Sequence, residues 1–199
     1  MDETKADAIA GAGVRLEPLR EADREALRAA ATEDPDIWEI YSTSLLGEHF
    51  DRWWSERSAP GSDWRMFTIH HEGRVVGMTG YAPDHRHPGV AELGSSYLVP
   101  GVRGSGLNRR VKWLMLSHLF ALEMHRVEFR VDARNLRSRS AVLKLGAVEE
   151  GVLRRHKITH TGFIRDTHVF AITDSDWLEI EPRLRPAAVS APAGGESSN

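Results

Sequence analysis

The sequence predicts a mixed α/β fold in which a largely antiparallel sheet is covered by helices. Three observations carry this. The middle of the chain holds period-two runs joined by short glycine-containing turns, the mark of antiparallel hairpins. Further on, a strand, a glycine-rich turn, a long amphipathic helix and another strand follow one another, the mark of a crossover connection. The 199 residues contain no internal linker or repeat, so one core and one domain are expected.

Element by element, Val14-Arg15-Leu16-Glu17-Pro18-Leu19 alternates as a short strand, and Glu21 to Thr32 has the composition and spacing of a helix. A loop rich in Asp, Pro and Ser leads to a second helix over Glu48 to Arg57. Met66 to His70 and Arg74 to Tyr81 read as strands joined through His71-Glu72-Gly73, and a turn over Pro83 to Gly89 leads to a strand from Val90 to Val99. Val111, Leu114, Met115, Leu119 and Leu122 form the apolar stripe of a long helix. Val127, Phe129 and Val131 alternate with charged residues as a strand, and Ser138 to Leu145 is helical up to a left-handed cap at Gly146. Val148 to Leu153 and Ile164 to Ile172 close the sheet, and Asp174 to Arg185 forms a last helix. Residues 1–12 and the Ala/Pro/Ser/Gly tail 186–199 have nothing to bury and are expected to be unstructured around a domain at 13–185.

Composition excludes several classes of function. There is no cysteine, so no disulfide, thiolate metal site or cysteine nucleophile exists, and a reducing, cytoplasmic setting is expected. A formal charge of -3 gives no footprint for nucleic acid. No apolar run approaches a membrane span, and Met1-Asp2-Glu3-Thr4-Lys5 lacks the layout of a signal peptide.

Arg103-Gly104-Ser105-Gly106-Leu107-Asn108 lies directly between a strand and the long helix. N–H groups at a helix start are unpaired and carry the positive end of the helix dipole, so a glycine turn that exposes them can seat a phosphate. No Gly-Lys-Ser/Thr ending follows, and the preceding strands form hairpins, so neither a Walker turn nor a dinucleotide fingerprint fits. Arg103, Arg109, Arg110 and Lys112 are cations within reach of such a phosphate.

These residues resemble the GNAT superfamily of N-acetyltransferases, whose pyrophosphate motif Arg/Gln-x-x-Gly-x-Gly/Ala occupies the same strand-to-helix junction. Arg103 matches the first position and Gly106 the fourth, while Asn108 takes the sixth in place of Gly/Ala. A second match is Asn135-Leu136-Arg137-Ser138 with Lys144-Leu145-Gly146-Ala147, similar to the Asn-x-x-Ser segment and helix end of the RimJ/RimL-like branch. The resemblance implies a mixed, mostly antiparallel sheet of six to seven strands, with helices on both faces and a V-shaped cofactor cleft. It also implies acetyl-CoA as co-substrate, held by Arg103, Gly104, Ser105, Gly106, Leu107 and Asn108, the last through its backbone, with Asn135 and Ser138 facing it. Main-chain N–H groups of Tyr97, Leu98 and Val99 would polarise the thioester carbonyl.

The implied chemistry is direct transfer to a primary amine, a protein N-terminal amine among the candidates. Small-molecule amines, succinyl-CoA as donor and a non-catalytic acyl-CoA-binding module stay open, as does a monomer or homodimer. Glu92 inside its strand is the candidate base, and Ser138 is a candidate both for capping its helix and for donating a hydrogen bond to the leaving sulfur. Val142 stands where many relatives have a tyrosine acid. Trp38 and Tyr41 are candidates for the acceptor groove, against the plain role of core aromatics. No metal is expected: His85 and His87 share a turn without a third ligand. His70 and His71 read as solvated, His118 as a core residue, and His156, His160 and His168 as flanking the closing hairpin. Asp166 reads as a surface pair with Arg165 or with a neighbouring strand, against a role in recognising charge on the acceptor.

Overall fold

The computed structural model describes residues 7–187. The expectations for 1–6 and 188–199 lie outside them. Eight strands form one sheet in the order β1-β2-β3-β4-β5-β6-β8-β7. They are β1 Ile9–Gly11, β2 Val14–Pro18, β3 Arg65–His71, β4 Arg74–Pro83, β5 Val90–Leu98, β6 Arg126–Asp132, β7 Val148–Ile158 and β8 Ile164–Thr173. The helices are α1 Arg24–Thr32, α2 Glu48–Ser58, α3 Leu107–Ala121, α4 Leu136–Leu145 and α5 Asp174–Leu184. Every strand pair is antiparallel except β5 with β6.

The count of six to seven strands is corrected to eight by β1, which falls inside the stretch expected to be unstructured. Three residues cannot show a period, and the turn that returns the chain is Ala12-Gly13 with both φ positive (51° and 73°), a two-residue hairpin without the usual Asn-Gly signal. The β3–β4 hairpin is built the same way on Glu72 and Gly73, at φ 50° and 77°.

Side chains of successive β5 residues show which helices lie on which face. Tyr97 sends its hydroxyl to Ala30 O of α1 at 2.8 Å, whereas Ser96 Oγ meets Lys112 Nζ of α3 at 2.6 Å. Thus α1 and α3 cover opposite faces. The α2 helix leans on α1, with Phe50 under the Arg28 guanidinium at 4.3 Å, and α5 joins α3 by stacking Trp177 on Phe120 at 5.2 Å. The α3 stripe is buried as predicted except at Leu122, which is half-exposed because the helix ends at Ala121 and Glu123 turns the chain at φ 60°.

Two features of β5 shape the site. It carries a bulge opposite Thr79: Met78 pairs with Tyr97 and Gly80 with Gly94, so Ser95 and Ser96 share one partner position, with Ser95 at φ 47°. Gly77 makes the crossing possible, because a Cβ there would lie 2.0 Å from Tyr97 O. The parallel pairing with β6 lasts only from Val90↔Arg126 to Glu92↔Glu128. Beyond it the two strands diverge.

Candidate active site

The gap between β5 and β6 opens into a cavity of about 620 Å³ lined by both strands, the start of α3, α4 and the loop carrying Trp38 and Tyr41. In an extended strand the N–H and C=O of one residue point the same way. Ser96 O accepts from the Tyr41 hydroxyl at 2.6 Å and Leu98 O from Arg103 Nε at 2.8 Å, so these residues turn their main chain into the gap, and Leu98 N–H faces it too. Val99 N–H instead donates to Val76 O at 2.9 Å. Of the three predicted main-chain donors, Val99 is therefore spent on β4, and Tyr97 contributes chiefly its buried ring and its bond to α1.

At one end of the gap, Gly104 and Gly106 adopt left-handed conformations at φ 81°, and no atom lies within 4 Å of a Cβ added at either. Gly106 is the N-cap of α3 and supplies no side chain, so the first-turn N–H groups face outward, apart from Leu107 N–H, which meets Ser105 Oγ at 3.3 Å. This cradle fits a pyrophosphate. The predicted cations mostly do not serve it. Arg103 is engaged by Asp34 and Leu98 O, Arg109 reaches Arg183 O, and Arg110 reaches Ala12 O at 3.0 Å. Arg137 and Lys144 of α4 line the cavity instead, together with Asn108.

Lys112 points elsewhere. It is buried, donates to Ser96 Oγ at 2.6 Å and Thr79 Oγ1 at 3.3 Å, and has no carboxylate within salt-bridge distance among the described residues; burial brings its pKa down to about 7. It fastens α3 to the bulge. Charge alone does not reveal which helix face a lysine occupies, so Lys112 reads from the sequence as one of the phosphate cations.

Asn135 and Ser138 both line the gap, with their expected local roles exchanged. Asn135 is the N-cap of α4, its side chain accepting from Ser138 N–H at 2.9 Å, which leaves the Ser138 hydroxyl without a protein partner among the described residues. Val142 is buried in the same wall, so no tyrosine acid is available there.

At the other end, Glu92 lines the cavity where β5 and β6 begin to part. Burial raises its pKa, and Arg130, whose Nε lies 3.7 Å away, only partly offsets this. The Gly94 position beside it has no side chain; a Cβ there would sit 3.5 Å from Glu92 Oε1 and 3.2 Å from the Trp64 ring. Trp38 and Tyr41 line the cavity from above. Trp38 is buried, bonds Ala31 O at 2.9 Å and packs against Tyr41 and Tyr97 at 5.0 and 4.9 Å; burial pushes the Tyr41 pKa up to about 12.

Residues 14–148 match the model of the acetyltransferase (GNAT) domain. The chain belongs to the GNAT acetyltransferase family. A T. thermophilus protein classed with the acetyltransferases is 32% identical over 90% of this chain and 96% of its own, with a TM-score of 0.79. A GCN5-related N-acetyltransferase from Brucella melitensis is 26% identical over 92% of this chain and 84% of its own (TM-score 0.81). Mycobacterium smegmatis RimJ in complex with CoA-disulfide shares the fold at 24% identity, over 86% of this chain and 87% of its own (TM-score 0.73). Among proteins of curated function none matches the chain. GNAT acetyltransferases bind acetyl-CoA and an amine acceptor.

In this GNAT domain the histidines are mostly structural. His70 is not simply solvated: its Nε2 lies 3.3 Å from Asp23 Oδ2 and 3.1 Å from Thr68 Oγ1, and His71 Nδ1 lies 2.8 Å from Gly13 O. His118 packs edgewise near Tyr81, with a buried Nε2 that has no partner among the described residues. His156 meets Thr167 Oγ1, His168 meets Glu149, and His160 ties the β7–β8 hairpin to Trp38 O at 2.7 Å. His87 meets Asp84 and His85 lies near Asp63, and no group of three potential ligands is placed to hold a metal among the described residues. Asp166 accepts from Arg155 N–H of β7 at 2.7 Å, while Arg165 turns into the cavity. No helix of the described residues is long and apolar enough to cross a membrane.

Proposed function

We propose that this GNAT domain transfers an acetyl group from acetyl-CoA to a primary amine, with Glu92 receiving the amine proton. The observation that carries the reading is one cavity with the glycine cradle at one end, a β5 edge without a partner strand along its length and a partly buried carboxylate at the other. The fold shared with RimJ in its CoA-disulfide complex supports coenzyme A as the occupant of the gap. Together with Asn135 and Ser138, it also supports a RimJ/RimL-like acceptor, a protein N-terminal amine.

Bound acetyl-CoA supplies an activated acyl group. The Gly104–Asn108 turn holds its phosphates, and the free β5 edge pairs with the pantetheine amides as an added strand would. Leu98 N–H donates to the carbonyl oxygen as negative charge develops there. The neutral amine forms the new N–C bond as the C–S bond breaks. Glu92 takes the proton the nitrogen loses, and the Ser138 hydroxyl donates to the departing sulfur. An α-amino group with a pKa of about 8 is already partly neutral near pH 7, so a carboxylate of raised pKa suffices as base.

The test is thiol release from acetyl-CoA in the presence of peptide N-termini. Glu92→Gln should lower kcat by about 100-fold, within the usual range for a general base. Since the base works only when ionised, the wild-type rate should rise with pH through a Glu92 pKa raised above its ordinary value by burial, and the variant should lose that limb. An unchanged profile would remove Glu92 from this role.

A further inference from the structure

The acceptor end of the cavity contains more positive charge than the fold uses. Arg165 of β8 is only 6% exposed. It donates from Nε to Thr167 Oγ1 and from Nη1 to Ser42 Oγ, both at 3.0 Å, and no carboxylate lies within 4 Å of it among the described residues. Arg57 of α2 lies over the Trp64 ring at 5.5 Å, with a buried Nε that has no hydrogen-bond partner among the described residues. Lys157 of β7 lines the same end.

The nearby carboxylates are already committed. Asp132 is held by Arg134 through two contacts, at 3.0 and 2.8 Å, and Glu128 lies between Arg126 and Arg130. Glu92 is the remaining anion lining this end of the cavity, and its closest cation is Arg130; Glu56 and Asp63 lie near Arg57 but are exposed and outside the cavity lining. Burial pushes the Arg57 and Arg165 pKa values down, the sign of guanidinium groups held away from water without adequate compensation.

A buried cation without a counterion is costly, and a neutral donor would tie Thr167 to Ser42 equally well. What a neutral donor cannot do is receive an anion in the planar, two-pronged manner of arginine. We propose that Arg165 and Arg57 bind a carboxylate carried by the acceptor itself, so that the substrate is an amine bearing a nearby acidic group and not a polyamine. This assignment rests on the acyl-transfer reading and specifies its acceptor. Glu92 faces the amine; the two arginines face the acid.

Two sources share that chemistry, a free amino acid and a peptide with an acidic residue near its N-terminus, and the experiment separates them. Acetyl-CoA turnover is measured on glutamate against its diamide, on peptides with Asp or Glu at the second position against Asn or Gln, and on spermidine. The acid should exceed its neutral amide in kcat/KM by about tenfold or more in one of the two pairs, the size expected of a charge-assisted contact. Arg165→Gln should bring that ratio close to one, and Arg57→Gln, at a less buried position, should reduce it even if the first variant fails to fold. Equal use of acid and amide, preference for spermidine, or a ratio indifferent to both variants would overturn the proposal.

Direct binding distinguishes this failure from failure of the transfer reading. N-acetylglutamate and an N-acetylated acidic peptide are titrated by calorimetry into the protein loaded with CoA. Tighter binding of either acid than of its amide, lost in the arginine variants, sustains the acidic site even if no amine is turned over. No difference, with turnover intact, rejects the site and leaves acetyl transfer standing.

Discussion

Lys112 shows how much a single side chain can cost. Its ammonium is surrounded by the Ser96 and Thr79 hydroxyls and by apolar core, and burial holds its pKa near 7 against an ordinary value of 10.5. At about 1.4 kcal/mol per pKa unit, keeping this group buried costs the folded state on the order of 5 kcal/mol wherever both states are protonated. The sign follows from proton counting. Between pH 7 and 10.5 the unfolded chain holds the proton and the folded chain does not, so wild-type stability should rise with pH across that window. Lys112→Met keeps the length of the side chain and removes the charge. The hydroxyls stay satisfied, because Ser96 and Thr79 lie 2.8 Å apart and Ser96 donates to Gly94 O at 3.0 Å. The variant should therefore be more stable than wild type in urea unfolding at pH 6.5, by about 2 kcal/mol or more after the lost hydrogen bonds are counted. The gap should close towards pH 10. Parallel stability curves would show that Lys112 is not strained by burial.

Helix caps separate stability from binding at the next scale. Asn135 caps α4 through Ser138 N–H, and Thr173 caps α5 in a reciprocal box with Asp176. Removing either should cost about 1 kcal/mol of stability, the usual worth of such a cap. Only Asn135 lies on the cavity, at the mouth of α4 beside Ser138 and Arg137. Asn135→Ala should thus raise the KM for acetyl-CoA several-fold, whereas Thr173→Ala should lower the melting temperature and leave KM as it was. Equal KM values in the two variants would reduce Asn135 to a cap. Most elements were legible because they bury one face with a clear period, as in β6 and α3. The failures have the same physical basis. β1 is too short to show a period, β7 is exposed along almost its whole length and so ran five residues past its predicted end, and Leu122 continues the stripe beyond the point where the backbone turns. Within the site, the glycine cradle and Asn135-x-x-Ser138 could be read from local order. The direction of Arg103 towards Asp34, of Lys112 towards the bulge and of Arg165 into the cavity could not, since each depends on partners 16 to 123 residues away in the chain.

At the scale of the molecule, the sheet is interrupted where the co-substrate would lie. From Gly94 to Leu98, β5 has β4 on one side and the gap on the other, and β6 turns to β8 for its hydrogen bonds. The arrangement is held by side chains that line the gap and its rim: Tyr41 grips Ser96 O, Arg103 grips Leu98 O and Asp34, and His160 brings the β7–β8 hairpin to Trp38 O. A ligand that pairs with the free β5 edge therefore adds hydrogen bonds the sheet itself lacks, and it binds only the folded state, because the unfolded chain has no such edge. At acetyl-CoA about 100 times its Kd this linkage is worth about 2.7 kcal/mol. For a domain of this size that corresponds to a rise in melting temperature of about 5–10 °C. Amide exchange should locate the effect. Leu98 N–H and the first-turn amides of α3 should slow by more than those of β2, which faces the same core but not the gap. A thermal shift without local protection at Leu98 would mean that acetyl-CoA binds elsewhere on the fold.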